Sequence, residues 1–545
     1  MKIAITGIGI VSALGFGIAE NREHLLAGES HVCTPKILKT IHKEWPIGEI
    51  CATNQELASR IGIKKILSRN VLIGLIALEE ALADAGIIEK IPLINGTTVG
   101  GMDLIEQHYN AWKHGDYTHI DLILQHESSF TTAELARHCG LANEATISTA
   151  CSSALNAIIY GANLLRTKET KQVVVGGTDA MSLFHLNGFA SLDILSQKVC
   201  RPFQADRDGI NLGEGAAYIV LEEATTAEKR GAHIYGYIAG YANRCDAYHQ
   251  TASSPNGEGA YNAITEALQL ANLQPDAIDY VNAHGTATQN NDASEWCALQ
   301  HIFHHKWPLI ESTKSLTGHT TSASGSIEVI FCLIKMQEKG YHYALNNAFG
   351  FGGNDSALII SDSPTDLPDL IPITMHESQP ISIGADIDYK PYVPAIYSRR
   401  MTPVMRQLMV AAKEAMRVAG ITEVDGIVVG TQWGGMLPTI CLLETLSTEG
   451  EHNFSPAQFM NSTHNAAAGT LSRLLQCKGY NTTITSNRNL LAAAKKDAKL
   501  ALATNAAKCV LVCSFDETDN LWQSFLKKVN YEAKETAKAC IVWSN

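Results

Sequence analysis

The sequence predicts a layered α/β protein with a further, smaller α/β segment at its C-terminal end. Three observations carry this. Strand-like apolar runs alternate with helix-like runs along the chain. The 545 residues, 46% of them hydrophobic, exceed one ordinary domain. A glycine-rich segment at residues 96–102 returns at residues 430–436.

The elements follow in order. Residues 3–11 form an apolar strand ended by Ser12 and Gly15. VLIGLIALEEALADAGI, from Val71, has helical periodicity. A strand near Leu93 runs into Gly96-Thr97-Thr98-Val99-Gly100-Gly101-Met102. A helix runs from Cys151 to about Leu165, and VVVGGTDAM, from Val173, is a buried strand. Residues 215–222 and 232–243 read as strands joined through EEATTAEKRG. GAYNAITEALQLANL is helical, and IDYVNAHGT is a strand ending on His284. A strand approaches Lys314, a helix spans Ser324 to Met336, and a glycine run at 350–353 precedes the strand SALIISD. The polar, proline-bearing stretch 361–380 reads as a linker.

Beyond it the first pattern echoes. Gly430-Thr431-Gln432-Trp433-Gly434-Gly435-Met436 matches 96–102 in its glycines, threonine and methionine. Both segments follow a helix ending in Ala-Gly-Ile, and VLVCSFDE, from Val510, stands where VVVGGTDA stands earlier. The C-terminal region therefore reads as a partial repeat of residues 70–180.

Bulk properties exclude several classes. A net charge of -13 disfavours nucleic acid and anionic membranes, because no basic run offsets it. The 13 cysteines show no paired metal-binding spacing. No signal-peptide pattern and no membrane-length apolar run stand out. A cytoplasmic protein with free thiols and no membrane insertion is expected. Gly7-x-Gly9 is a weak dinucleotide pattern, since Ser12 takes the place of the third glycine.

The chemistry centres on Cys151, in ISTACSSALNAIIYG. A cysteine entering a helix gains from free N–H groups and the helix dipole, which favour a thiolate nucleophile. The plain alternative is a packed small residue. His284, in NAHGT, and His319, in KSLTGHTT, sit among small residues and can project into a pocket, or can be core histidines. If both face Cys151, they can bind a developing enolate oxygen. Lys314 can pair with Glu328 in a buried network, or cap a solvent-facing strand end. The glycine run suits a turn with exposed amides, so Cys151 and Phe351 can form an oxyanion hole.

At Cys151, His284, Lys314 and His319 the chain resembles the β-ketoacyl-[acyl-carrier-protein] synthases of the thiolase superfamily. The resemblance spans roughly residues 1–360. It includes CRPFQADRDGINLGEGAA from Cys200, NAHGTATQNND from Asn282, TKSLTGHTTSASG from Thr313 and FGFGGND from Phe349. It implies a thiolase-like five-layered αβαβα fold with halves at 1–230 and 231–360, a linker at 361–380, and a C-terminal partial thiolase-like α/β domain at 381–545. It also implies a homodimer.

By that resemblance Cys151 carries an acyl group delivered by an acyl carrier protein, and His284 and His319 assist decarboxylation of a malonyl carrier. Lys314 and Glu328 support the histidines, Phe351 gates the pocket, and Cys151, Phe351 and Gly352 form the oxyanion hole and gate. The product is a 3-oxoacyl carrier protein two carbons longer. No organic cofactor and no metal are implied. One departure is Asn354-Asp355, where the family commonly has threonine then asparagine, which leaves the hydrogen bonding behind the turn open.

The C-terminal part resembles a synthase-like segment of specialised pathways, such as aryl polyene or flexirubin-type pigment synthesis. Its nucleophile region reads as FMNSTHNAAAGTLSRLL, without cysteine, so this part is expected to be non-catalytic and to cap the catalytic domain or imitate a chain-length factor. A separate acyl-transfer or hydrolytic role for His464 is the alternative. The rivals for the whole chain are housekeeping fatty-acid elongation and a non-catalytic, chain-length-factor-like partner. Carrier proteins are acidic, so Arg166, Lys168 and Lys171 are the candidate docking residues.

Overall fold

The computed structural model describes all residues except 385 and 400. In the first part, β1 (Ile3–Ser12) is buried along its whole length. Helix α1 (Arg69–Ala85) lies across it, capped at its N-terminus by the Ser68 side chain and ended by Gly86 in the left-handed region. Gly7 and Gly9 serve this contact. A Cβ on either would stand 2.5 Å from the Ala81 carbonyl or 2.2 Å from that of Ala77. The Gly-x-Gly pattern therefore reflects strand–helix approach.

Next come β2 (Pro92–Gly96), α2 (Met102–Lys113), α3 (Ser128–His138), β3 (Ala142–Ile147), α4 (Ser153–Arg166), β4 (Gln172–Asp179) and β5 (Gly215–Glu223). The strands order as β3-β2-β4-β5-β1, with β2, β3 and β4 parallel and the others antiparallel. The second part contributes β6 (Gly236–Cys245), α5 (Glu258–Ala271), β7 (Tyr280–Asn282), β8 (Leu309–Glu311), α6 (Ser324–Lys339), β9 (Tyr343–Gly350) and β10 (Asn354–Ser361). Its order, β8-β7-β9-β10-β6, repeats the first, and β6 pairs with β1. Helices α4 and α6 are buried on nearly every face and pack on each other. With α1 and α5 outside the sheets, they give the five layers expected for a thiolase-like fold.

The third part repeats the pattern once more. After α7 (Pro403–Ala419) come β11 (Gly426–Thr431), α8 (Met436–Glu449), α9 (Ala466–Leu475), β12 (Tyr480–Thr485), α10 (Leu490–Ala503), β13 (Cys509–Asp516) and β14 (Thr536–Ser544). The order is β12-β11-β13-β14, and short strands at Met375–Glu377 and Ile381–Ser382 cover β14 as β1 covers β5. The repeat holds at the level of hydrogen bonds. Asp179 accepts from the Thr97 hydroxyl and the Thr98 and Val99 amides, and Asp516 accepts from the Thr431 hydroxyl and the Gln432 and Trp433 amides.

Register corrects one expectation. Gly96 lies opposite Ile147, and its counterpart Gly430 lies opposite Ile484. Four residues beyond Ile147 is Cys151, and four beyond Ile484 is Arg488. The nucleophile position of the third part is thus Arg488, not the 459–475 segment. That segment ends in α9, the counterpart of α3, and places His464 where the first part has His126. The Ser-Thr-His motif at 462–464 imitates a nucleophile turn, and only the strand register separates the two positions.

β12 joins β3 antiparallel, with Ile484 facing Ile147 and the Ser148 amide bonded to the Thr483 carbonyl at 2.9 Å. Equivalent strands meet at equivalent residues, so a pseudo-two-fold axis passes through this pair. Helices α2 and α8, also equivalent, touch each other across it. All 13 cysteines are free. Among the described residues no helix is long and apolar enough to cross a membrane.

Candidate active site

Cys151 sits in a single 3-10 turn, Ala150–Ser152, that leads into α4. Ala150 before it has φ 54°, a left-handed conformation that costs strain outside glycine and is common at functional turns. The thiol is buried, and burial pushes it up to about 12, against the opposing pull of Lys314 and of the Phe351 and Cys151 amides. The expected thiolate at a helix N-terminus is therefore a thiol at rest. The cost of burying the charge outweighs the helix N–H groups, because the sulfur has almost no water contact.

An imidazole stands beside the thiol. His319 Nε2 lies 3.0 Å from Cys151 Sγ. His284 lies beyond it, with ring centroids 5.3 Å apart at 81°. The sulfur and the two imidazoles offer atoms all within 4.8 Å of one another. Both rings are buried, and burial, reinforced by Lys314, holds them well below the usual histidine range, so they are neutral. A protonated thiol can then donate to a neutral His319 Nε2. Lys314 forms a buried salt bridge with Glu328, whose carboxyl burial raises to about 7.

The backbone N–H groups of Phe351 and Cys151 both favour a charge on the sulfur, so both lie near it. Gly352 does not join them. Its amide donates to the Gln250 carbonyl at 2.8 Å, so the expected third donor is already engaged. Gly352 contributes its backbone instead, at φ 88°. The hydrogen bonding behind the turn is supplied by Asn354. Its Oδ1 accepts from Ser152 Oγ at 2.7 Å and Asn156 Nδ2 at 2.8 Å, and its Nδ2 donates to the Asn481 carbonyl.

Three supporting residues escaped sequence reading. Asp179 accepts from Thr321 Oγ1 and the Ser322 amide, fixing the loop after His319. Glu295 accepts from the His284 and Gly285 amides at 2.9 and 2.8 Å, fixing the loop that carries His284. Asn465 donates to the Phe351 carbonyl at 2.8 Å, so the C-terminal part holds the loop that carries Phe351 directly. Asp179 ends the VVVGGTD strand, which was the one available signal.

Two cavities meet at Cys151. One, of about 360 Å³, opens outward past Asp193, Thr251, Gln289 and Asn290 and reaches His284 and His319. The other, of about 90 Å³, lies behind. Cys151, Phe189 and Phe351 line both, and the Phe189 and Phe351 rings stack at 5.7 Å. Phe351 thus stands between mouth and inner cavity.

The proposed docking residues fare less well. Arg166 is buried, bonded to Tyr241 Oη and the Pro368 carbonyl, and offers nothing to a partner. Lys168 and Lys171 are exposed. They lie past the far end of the 14-residue α4, about 20 Å along the helix from the nucleophile.

Residues 1–227 match the family described as "Beta-ketoacyl synthase, N-terminal domain" and 235–347 the one described as "Beta-ketoacyl synthase, C-terminal domain". Residues 376–543 match another N-terminal-domain family of the same description. The 3-oxoacyl-[acyl-carrier-protein] synthase 2 of Synechocystis sp. is 30% identical over 419 residues, covering 66% of this chain and 97% of that protein. A solved ketosynthase in complex with its chain length factor, from Xenorhabdus doucetiae, is 28% identical, covers 66% of this chain and 98% of that one, and superposes with a TM-score of 0.56. A keto synthase–chain length factor structure covers 100% of this chain and 78% of that one at a TM-score of 0.79 and 18% identity, a likeness of fold alone.

Proposed function

Because the chain belongs to the beta-ketoacyl synthase family and is a beta-ketoacyl-[acyl-carrier-protein] synthase, we propose that Cys151, His319 and His284 carry its condensation. The observation that bears most weight is His319 Nε2 at 3.0 Å from the Cys151 sulfur, with a second neutral imidazole behind it. Cys151 attacks the thioester of an acyl carrier protein and passes its proton to His319, and the carrier thiol leaves. A malonyl carrier then enters. Loss of carbon dioxide leaves an enolate whose oxygen the histidines hold. Its carbon attacks the Cys151 thioester, the oxyanion sits on the Cys151 and Phe351 amides, and the cysteine sulfur leaves. The product is a 3-oxoacyl carrier two carbons longer. Lys314 and Glu328 set the local charge, and Phe351 gates the inner cavity.

The third part is non-catalytic in this reading, since Arg488 stands at the nucleophile position. It acts in cis as a chain-length-factor-like partner, which supports a specialised fatty-acid or polyketide pathway over housekeeping elongation. The test is intact-mass analysis of wild type and Cys151→Ala with acyl and malonyl carrier proteins. Acylation that requires Cys151, followed by a two-carbon-longer 3-oxo product, is expected. Acylation without extension would sink the condensing role, and broad extension of ordinary saturated chains would return the protein to fatty-acid elongation.

A further inference from the structure

The inner cavity is not a plain hydrocarbon slot. Phe189 and Phe351 wall it near Cys151, while His126, Trp433 and His464 also line it. His126 Nδ1, Trp433 Nε1 and His464 Nδ1 are buried and lack a hydrogen-bond partner. The three side chains belong to residues only 7%, 2% and 7% exposed. His126 stacks on Trp433 with centroids 6.2 Å apart. Burial holds His126 down to about 3 and His464 to about 4, so both rings are neutral near pH 7. Each neutral imidazole presents one N–H and one lone pair, and the indole presents one N–H.

Native interiors rarely leave such atoms unpaired, and a cluster of three around one cavity points to an occupant that pairs them. The hydroxyls of Ser462, Thr463 and Thr439 donate to nearby backbone carbonyls, and none bonds the three nitrogens. A saturated alkyl end would leave all three nitrogens unsatisfied. An oxygen there can accept from the indole and an imidazole, and a hydroxyl can also donate to an imidazole lone pair.

We propose that the inner cavity selects an acyl group whose far end carries a hydroxyl or carbonyl oxygen, bound by His126, Trp433 and His464. This rests on the reading that Cys151 carries the acyl chain. The cavity has room for only about half a dozen water-sized groups, so the oxygen sits on a short chain or a short terminal portion. His126 comes from the first part, while Trp433 and His464 come from the third. His126 and His464 are counterparts across the pseudo-two-fold axis. The catalytic part alone therefore lacks two of the three groups, which gives the fused part a specific task in substrate choice.

The test loads a carrier protein with matched acyl groups, hexanoyl against 6-hydroxyhexanoyl and 5-oxohexanoyl, and octanoyl against 8-hydroxyoctanoyl. The rate of Cys151 acylation is read by intact mass. At least one oxygenated group should load ten-fold or more faster than its alkyl match, as a site built to hydrogen-bond an oxygen penalises its absence. Trp433→Phe combined with His464→Leu should bring that ratio within two-fold while alkyl loading persists, which also reports an intact fold. Equal rates in the wild type, or a ratio unchanged in the double variant, overturn the inference. Equal loading followed by normal extension overturns it alone. Selective loading without extension by malonyl carrier supports it and overturns the condensing reading, and no loading by any donor overturns both.

Discussion

A thiol held near 12 beside a neutral imidazole works as a pair, with the proton leaving as the bond forms. Two consequences are measurable. Alkylation of Cys151 by iodoacetamide, followed by peptide mapping, should rise about tenfold per pH unit from 7 to 10 without a plateau, because only the thiolate reacts. A plateau near pH 7 would mean a preformed thiolate. Transfer from an acyl carrier should instead stay level over that span and fall roughly 10²- to 10⁴-fold in His319→Ala. The inner-cavity histidines carry a stability cost with a definite sign. His464 is depressed to about 4 by burial, so below about 6.5 the unfolded chain binds a proton that the folded chain does not. Stability contributed by this group is whole above 6.5 and is lost as pH falls toward 4, by on the order of 3 kcal/mol. His464→Leu should therefore flatten the pH dependence of the urea midpoint between 6.5 and 4. Parallel curves for variant and wild type would count against a buried neutral ring.

At the scale of elements, the loop from Ser196 to Asp208 is a candidate carrier-docking segment, since its end lines the mouth. It reaches the mouth of the 360 Å³ cavity at Asp208 and carries exposed Lys198 and exposed Arg201, the latter paired with Asp206. Charge reversal there, Lys198→Glu with Arg201→Glu, should raise KM for an acidic carrier protein several-fold, with the gap closing at high salt. The same reversal at Lys168 and Lys171 should leave KM unchanged if docking happens at the mouth. A rise there instead would restore the α4 end as the docking site. The contrast also marks what sequence can carry. Cys151, His284 and His319 were legible because each sits in a short small-residue motif at the end of a strand or entry of a helix. The alternation of elements and the echo at 430–436 were legible for the same local reason. Arg166 was not, since periodicity along α4 does not reveal that elements cover every side of it. The engaged Gly352 amide depends on Gln250, 102 positions away along the chain. The counterpart of Cys151 was not legible, because Arg488 carries no small-residue motif and only strand register aligns it with the nucleophile.

The whole molecule is arranged as an isologous dimer would be, within one chain. Ile147 faces Ile484 at the centre, and equivalent groups meet on either side: β3 with β12, α2 with α8, and His126 with His464 around one cavity. Contacts of this kind normally relate two subunits by a two-fold axis. Here the second set of elements is tethered, which makes its association intramolecular and independent of protein concentration. It also pairs the C-terminal end of β3, at Thr146 and Ile147, whose N–H and C=O groups would otherwise invite another strand. A homodimer built through this end of β3 would have to displace β12. Sedimentation equilibrium should return the 58.9 kDa of one chain. Ile484→Asp, which puts a charge into the buried seam, should expose that edge and give concentration-dependent self-association or loss of folded protein. A stable species of twice the chain mass in the wild type would place a second interface elsewhere and sink the argument that the third part replaces a partner subunit.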